Sequence, residues 1–123
     1  MDMKLRSLVA MVRVADVEAS IEFYERLGFD LDGSFAQPGE DRLSWASLAC
    51  GEARIMLARA DEPVVAAQQA VMFYAYCADV GGMHEQLAAS GVAVGPITKP
   101  FYNPDGEFRI QDPDGYVVMV THL

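Results

Sequence analysis

The sequence is poor in the side chains that most often carry chemistry. Its 123 residues include two histidines, two cysteines and one tryptophan, and lysine occurs only at Lys4 and Lys99. Cys50 and Cys77 stand far apart and form no CxxC, so both read as small buried hydrophobes. His84 falls in a helical pattern and His122 is next to last, which predicts surface positions for both. A nucleophile elbow, a glycine-rich phosphate loop and an HExxH are all missing. No apolar run approaches the roughly 20 residues that a membrane helix needs. The run at residues 8–12 is too short for a signal peptide and is interrupted by Arg13 and Asp16, so a cytoplasmic protein is expected. Basic residues are also scarce, 9 against 18 acidic, for a formal charge of −9. Such a chain repels nucleic acid and anionic membrane, so neither is an expected partner, and it weakly favours cationic ligands.

What the sequence does have is a globular balance, 52% hydrophobic and 22% charged, and an internal repeat. Val14-Ala15-Asp16-Val17 matches Cys77-Ala78-Asp79-Val80, and Leu27-Gly28-Phe29 matches Ser90-Gly91-Val92, both at an offset of 63 residues. Each half begins with a short apolar strand, at residues 8–14 and 71–78. Asp16 and Asp79 are placed to cap a following helix, and Gly28 and Gly91 to end it. The first helix carries Val17, Ile21, Phe23, Tyr24 and Leu27 on one face. Strands are then expected at 30–35, 43–49 and 53–59, with a turn at 50–52, and in the second half at 92–94, 107–111 and 116–121. Asn103-Pro104-Asp105-Gly106 and Asp112-Pro113-Asp114-Gly115 share a type I turn pattern. The expected fold is α+β: two tandem βαβββ modules, about 5–59 and 71–121, joined by a linker at 60–70 in a single domain spanning 1–123. The modules should form a curved mixed sheet with the helices outside and a concave pocket.

The segment from Val14 through Ser20-Ile21-Glu22-Phe23-Tyr24 to Leu27-Gly28-Phe29, and the closing Phe108-Arg109-Ile110-Gln111-Asp112-Pro113-Asp114-Gly115-Tyr116, resemble the opening and closing signatures of the vicinal oxygen chelate superfamily. That superfamily groups glyoxalase I, extradiol dioxygenases, fosfomycin-resistance transferases and bleomycin-resistance proteins. The resemblance covers nearly the whole chain. It implies a site that usually holds one divalent metal through His, Glu or Gln from the first and last strands of each module. Carried over, those positions fall at Val9, Met56, Phe73 and Met119. None is a ligand for Zn, Ni, Mg or Fe(II), and shifting the register by one or two residues supplies only Tyr74 with an oxygen. No metal, cofactor or catalytic residue is therefore expected.

Strand alternation assigns faces. Leu8, Ala10, Val12 and Val14 should pack under the first helix, leaving Val9, Met11 and Arg13 toward the pocket. Trp45, Arg54, Met56, Phe73, Glu107, Arg109 and Met119 should join them, together with Ser47, Ala58, Ala75, Cys77 and Val117. Phe35, Phe101 and Tyr102 are placed to close the mouth. Trp45 suits stacking on a flat or cationic ligand, and the methionines suit an irregular one. The resulting expectation is a metal-free small-molecule binding protein of the bleomycin-resistance branch, acting as a homodimer, with cationic or aromatic antibiotics among its ligands. Two other readings stand beside it. One is a lyase, isomerase or dioxygenase with an atypical metal or acid–base site, and the other is a module that binds only protein.

Overall fold

The computed structural model describes residues 3–123. They form an α+β fold of two compact units, Met1–Val64 and Val65–Leu123, each with one helix and one mixed sheet.

The first unit runs β1 (Ala10–Val14), α1 (Val17–Arg26), β2 (Asp30–Phe35), β3 (Trp45–Cys50) and β4 (Ala53–Arg59). Its sheet has the order β1-β4-β3-β2, with β1 parallel to β4 and the other pairs antiparallel. Asp16 caps α1 by accepting the Ala19 N–H at 3.1 Å. Gly28, just past the end, takes φ +104°, where a Cβ would be strained. Val17, Ser20, Ile21, Phe23 and Tyr24 of α1 are buried, and the helix packs on β2, β3 and β4. Under it lie Val12, Val14, Ala46, Leu48, Ile55 and Leu57, all buried. Segment 36–44 is pinned at three points: Arg42 pairs with Asp16 at 3.2 Å, Glu18 accepts the Leu43 N–H at 2.9 Å, and Arg59 pairs with Glu40.

β1 begins two residues later than the sequence pattern suggests. Leu8, expected under α1, is 92% exposed, because pairing with β4 starts at Ala10 opposite Ile55. Without a ladder, residues 3–8 are exposed.

After a 3-10 turn at Ala66–Gln68, the second unit runs β5 (Met72–Cys77), α2 (Val80–Ala89), β6 (Glu107–Gln111) and β7 (Val117–His122). Its sheet has the order β5-β7-β6, with β5 parallel to β7 and β6 antiparallel to it. Asp79 caps α2 through the Gly82 N–H at 3.0 Å. Only Val80 and Leu87 of this helix are buried. His84 makes up part of the difference: its Nε2 lies 2.9 Å from the Gly95 carbonyl oxygen, and its ring meets Phe108 edge-on at 4.9 Å.

The strand expected at 92–94 is absent. In its place the chain follows β6 through the Gly95 N–H to the Arg109 carbonyl and the reciprocal bridge of Thr98 with Glu107, all at 2.9 Å. Pro96 supplies no N–H, so a regular ladder cannot form there. A Cβ on Gly95 would lie 3.1 Å from the Arg109 carbonyl oxygen, so this close approach favours glycine. The Asp112 turn forms as expected, with Oδ1 accepting the N–H groups of Asp114 and Tyr116 at 2.9 Å each.

Candidate functional site

In each unit the helix covers one face of the sheet, and the strand register determines which side chains lie on the other. In the first unit two cross-strand rows form that second face. One is Met11, Met56, Ser47 and Gly33; the other is Arg13, Ala58, Trp45 and Phe35. Arg54 shares the face, two residues before Met56, and pairs with Asp32. The Trp45 ring lies over Gly33, where a Cβ would be 3.5 Å from it, so glycine makes room for the indole. Met11 and Phe35 are about half exposed, at 49% and 51%. Arg13 approaches Asp61 at 3.8 Å. These rows are largely apolar, carrying thioethers and aromatic rings, with Arg13 and Arg54 on the same face.

The second unit carries a different surface on the corresponding face. Its rows are Tyr74, Met119 and Arg109, and Tyr76, Thr121 and Glu107. The Tyr74 and Tyr76 rings are neighbours at 6.4 Å, and both are at least half exposed. Glu107 is buried, and the loop before it caps its carboxylate. Tyr102 donates its hydroxyl to Oε1 at 2.9 Å, and the Asn103 side-chain amide reaches Oε2 at 3.3 Å and the Thr121 hydroxyl at 2.5 Å. The hydrogen bond to Glu107 pushes the Tyr102 phenol above its ordinary value, and Arg109 opposes the shift.

Most of the residues expected to line the site thus lie on these two faces: Met11, Arg13, Phe35, Trp45, Arg54 and Met56 on the first, and Glu107, Arg109 and Met119 on the second. Tyr102 reaches the second face through Glu107. Val9 precedes β1 and is half-buried. Phe101 is 99% exposed at the tip of its loop and meets only the Tyr102 ring. Phe73 is a correction. It stands opposite Val118, on the face that carries Phe108 toward α2, and packs against Tyr116 at 6.3 Å. Ala75 and Cys77 follow it to that side, and burial pushes the Cys77 thiol up. Tyr74 and Tyr76 hold the positions assigned to Phe73 and Ala75. The repeat itself could have located them, because an offset of 63 carries Met11 to Tyr74 and Arg13 to Tyr76. Asn103 and Thr121 carried no comparable signal.

Of the positions that the superfamily uses for a metal, Val9, Met56 and Met119 carry no imidazole or carboxylate, and neither do Met11 opposite Met56 and Tyr74 opposite Met119. Aliphatic side chains, thioethers and a lone phenol do not fit a hard or borderline divalent ion. Among the described residues no three His, Cys, Asp or Glu side chains converge to hold one. Both histidines have structural neighbours: His84 holds Gly95, and His122 lies 3.6 Å from Asp105. No described helix is long and apolar enough to cross a membrane.

Known proteins of this architecture resemble the whole chain. A bleomycin-binding protein solved with bleomycin superposes with a TM-score of 0.72 at 16% identity, over 97% of this chain and 99% of that one. The bleomycin-binding protein from bleomycin-producing Streptomyces verticillus, solved with copper(II)-bleomycin, gives 0.72 at 23% identity, over 99% of both chains. An antibiotic binding protein from Streptomyces sp. CB03234, TnmS3, gives 0.73 at 25% identity, over 98% of both. No curated protein matches the sequence. The family model described as the Glyoxalase/Bleomycin resistance protein/Dioxygenase superfamily matches residues 6–120. With the duplicated helix-on-sheet units, that match establishes that the chain belongs to this superfamily.

Proposed function

We propose that this protein binds a small aromatic molecule, of the kind represented by antibiotics, and does so without a metal and without transforming it. The observation that carries the reading is the composition of the helix-free sheet faces. At and beside the positions where a metalloenzyme of this superfamily needs imidazoles and carboxylates, the chain has Val9, Met11, Met56, Tyr74 and Met119. Such side chains make van der Waals and ring contacts with flat ligands, and they are poor acids, bases and metal ligands at neutral pH. The antibiotic-binding proteins that share the fold support the same reading. The reading includes a cytoplasmic homodimer, for which the exposed Met11, Tyr74 and Tyr76 offer apolar contact area. Light scattering at a dimer's mass checks that part.

The main test combines metal analysis with ligand screening. Protein purified without a histidine tag should contain almost no metal, and added Ni²⁺, Zn²⁺, Mn²⁺ or Fe²⁺ should leave its melting temperature unchanged. A panel of planar aromatic compounds, including bleomycin, should yield binders that raise the melting temperature and alter Trp45 fluorescence. Trp45→Ala should then lose at least about tenfold in affinity, the equivalent of about 1.4 kcal/mol, while remaining folded. One metal per chain, or a panel without a single binder, would overturn the reading.

A further inference from the structure

Glu107 is the feature that a face for neutral aromatic ligands leaves unexplained. It is 4% exposed, yet it points to the side of its sheet away from α2. A buried carboxylate ordinarily has a cation beside it or a dense set of hydrogen-bond donors. No salt bridge to Glu107 occurs among the described residues. Its side chain receives two hydrogen bonds, one per oxygen, from Tyr102 and Asn103. A carboxylate has about four acceptor positions, so about two remain.

The donors come from an exposed segment. Residues 99–106 leave the sheet at the Thr98–Glu107 bridge and return to it at Glu107. Tyr102 is 64% exposed, so its hydroxyl shields the carboxylate from above while the ring stays in water. Tyr76 flanks the carboxylate on the same row, beyond Thr121. Arg109 is the other charge on this face, two residues along β6. Its guanidinium is exposed and makes no ion pair or hydrogen bond among the described residues, so it does not take the part of a counter-ion.

We infer that Glu107 is the anchor for a protonated nitrogen on the ligand, so that the chain selects flat aromatic cations over their neutral and anionic analogues. The ligand nitrogen reaches the carboxylate by displacing the hydroxyl of the exposed Tyr102, and its ring lies along the exposed tyrosines, where their π-faces favour positive charge. Tyr102 is a positioning residue that holds the carboxylate in place and competes for one of its oxygens. The inference rests on the reading of the chain as a small-molecule binder.

Three acridines test it by fluorescence titration near neutral pH: 9-aminoacridine, which is cationic, acridine, which is uncharged, and acridine-9-carboxylate, which is anionic. The wild type should bind 9-aminoacridine at least about tenfold tighter than acridine, with the carboxylate weakest. Glu107→Gln keeps the shape and should erase that preference, 9-aminoacridine losing more affinity than acridine. Arg109→Ala should tighten 9-aminoacridine severalfold. If Glu107→Gln does not fold, Tyr102→Phe carries the test, since loss of the competing hydroxyl should strengthen 9-aminoacridine binding relative to acridine. Equal binding of the two, or a preference that survives these substitutions unchanged, overturns the anchor. So does a wider panel that yields binders while all three acridines stay silent. If nothing in either set binds, the binding-protein reading fails, and the anchor fails with it.

Discussion

Trp45 and Glu107 occupy the same place in two copies of one plan. Each lies on the next-to-last strand of its unit, Trp45 opposite Ala58 and Glu107 opposite Thr121, and those partners are themselves 63 residues apart. One copy puts the largest apolar side chain there, over a glycine, and the other puts a buried carboxylate under a tyrosine. The scaffolds diverge in the same direction. The first unit has four strands, a helix with five buried side chains, and a connecting segment tied down at three points. The second has three strands, a helix with two buried side chains, and a proline-bearing excursion where a strand would be. A duplicated fold can thus carry a largely apolar surface on one half and a polar, hydrogen-bonded one on the other.

Three sets of substitutions break or sharpen this contrast. The largest effect belongs to the buried leucines. Leu57 and Leu87 are both fully buried, and truncating either to alanine should cost about 2–5 kcal/mol in urea denaturation. Hydrogen exchange should separate them: Leu87→Ala should release α2 locally, whereas Leu57→Ala should lower protection throughout its unit. Equal local loosening in both would remove the distinction between the helices.

The caps come next. Asp16→Ala and Asp79→Ala should each cost about 1 kcal/mol, with Asp16 the more costly because it also meets Arg42. The Ala19 N–H first, and Arg42 after it, hold the Asp16 carboxyl below its ordinary 3.8. A depressed carboxyl stabilises the fold fully above the unfolded value and ceases to do so as pH falls through the folded one. The advantage of wild type over Asp16→Asn should therefore be present at neutral pH and disappear on acidification below 3.8. A constant difference across that window would show that Asp16 acts by geometry alone.

The smallest effect is a gain. Gly81 in the first turn of α2 corresponds to Glu18 in α1, and a Cβ there would meet only an Asp79 carboxylate oxygen at 3.7 Å. Gly81→Ala should raise stability by about 0.5–1 kcal/mol, read as a higher melting temperature. A fall would mean that α2 needs its glycine for docking.

The architecture was legible in the sequence wherever two kinds of signal coincided. Asp16 and Asp79 stand before apolar residues at helical spacing, with Gly28 and Gly91 at the matching distance beyond, so both helices could be read closely. β5 could not be oriented the same way. Met72-Phe73-Tyr74-Ala75-Tyr76-Cys77 has little polar alternation, and alternation is what distinguishes the two faces of a strand. The repeat held that information, but only when applied residue by residue. On β6 the offset slips to 62, since Ser47 and Arg109 face Met56 and Met119 respectively. The Glu107 cap lay beyond sequence reasoning, because an acid on a strand ordinarily seeks water and its burial here depends on a loop conformation.

That loop has a consequence for how the protein can change. Residues 99–106 are closed by one bridge rather than a ladder, so added residues shift no strand register. In a flexible loop, doubling the length costs only about 0.6 kcal/mol in closure entropy. The loop is nonetheless tied within its span, Tyr102 and Asn103 to Glu107 and Asn103 to Thr121, much as segment 36–44 is tied to Asp16, Glu18 and Arg59. Added residues should therefore be tolerated outside those ties, before Tyr102 in the one segment and before Glu40 in the other, where neither a strand register nor a buried contact depends on the length of the chain.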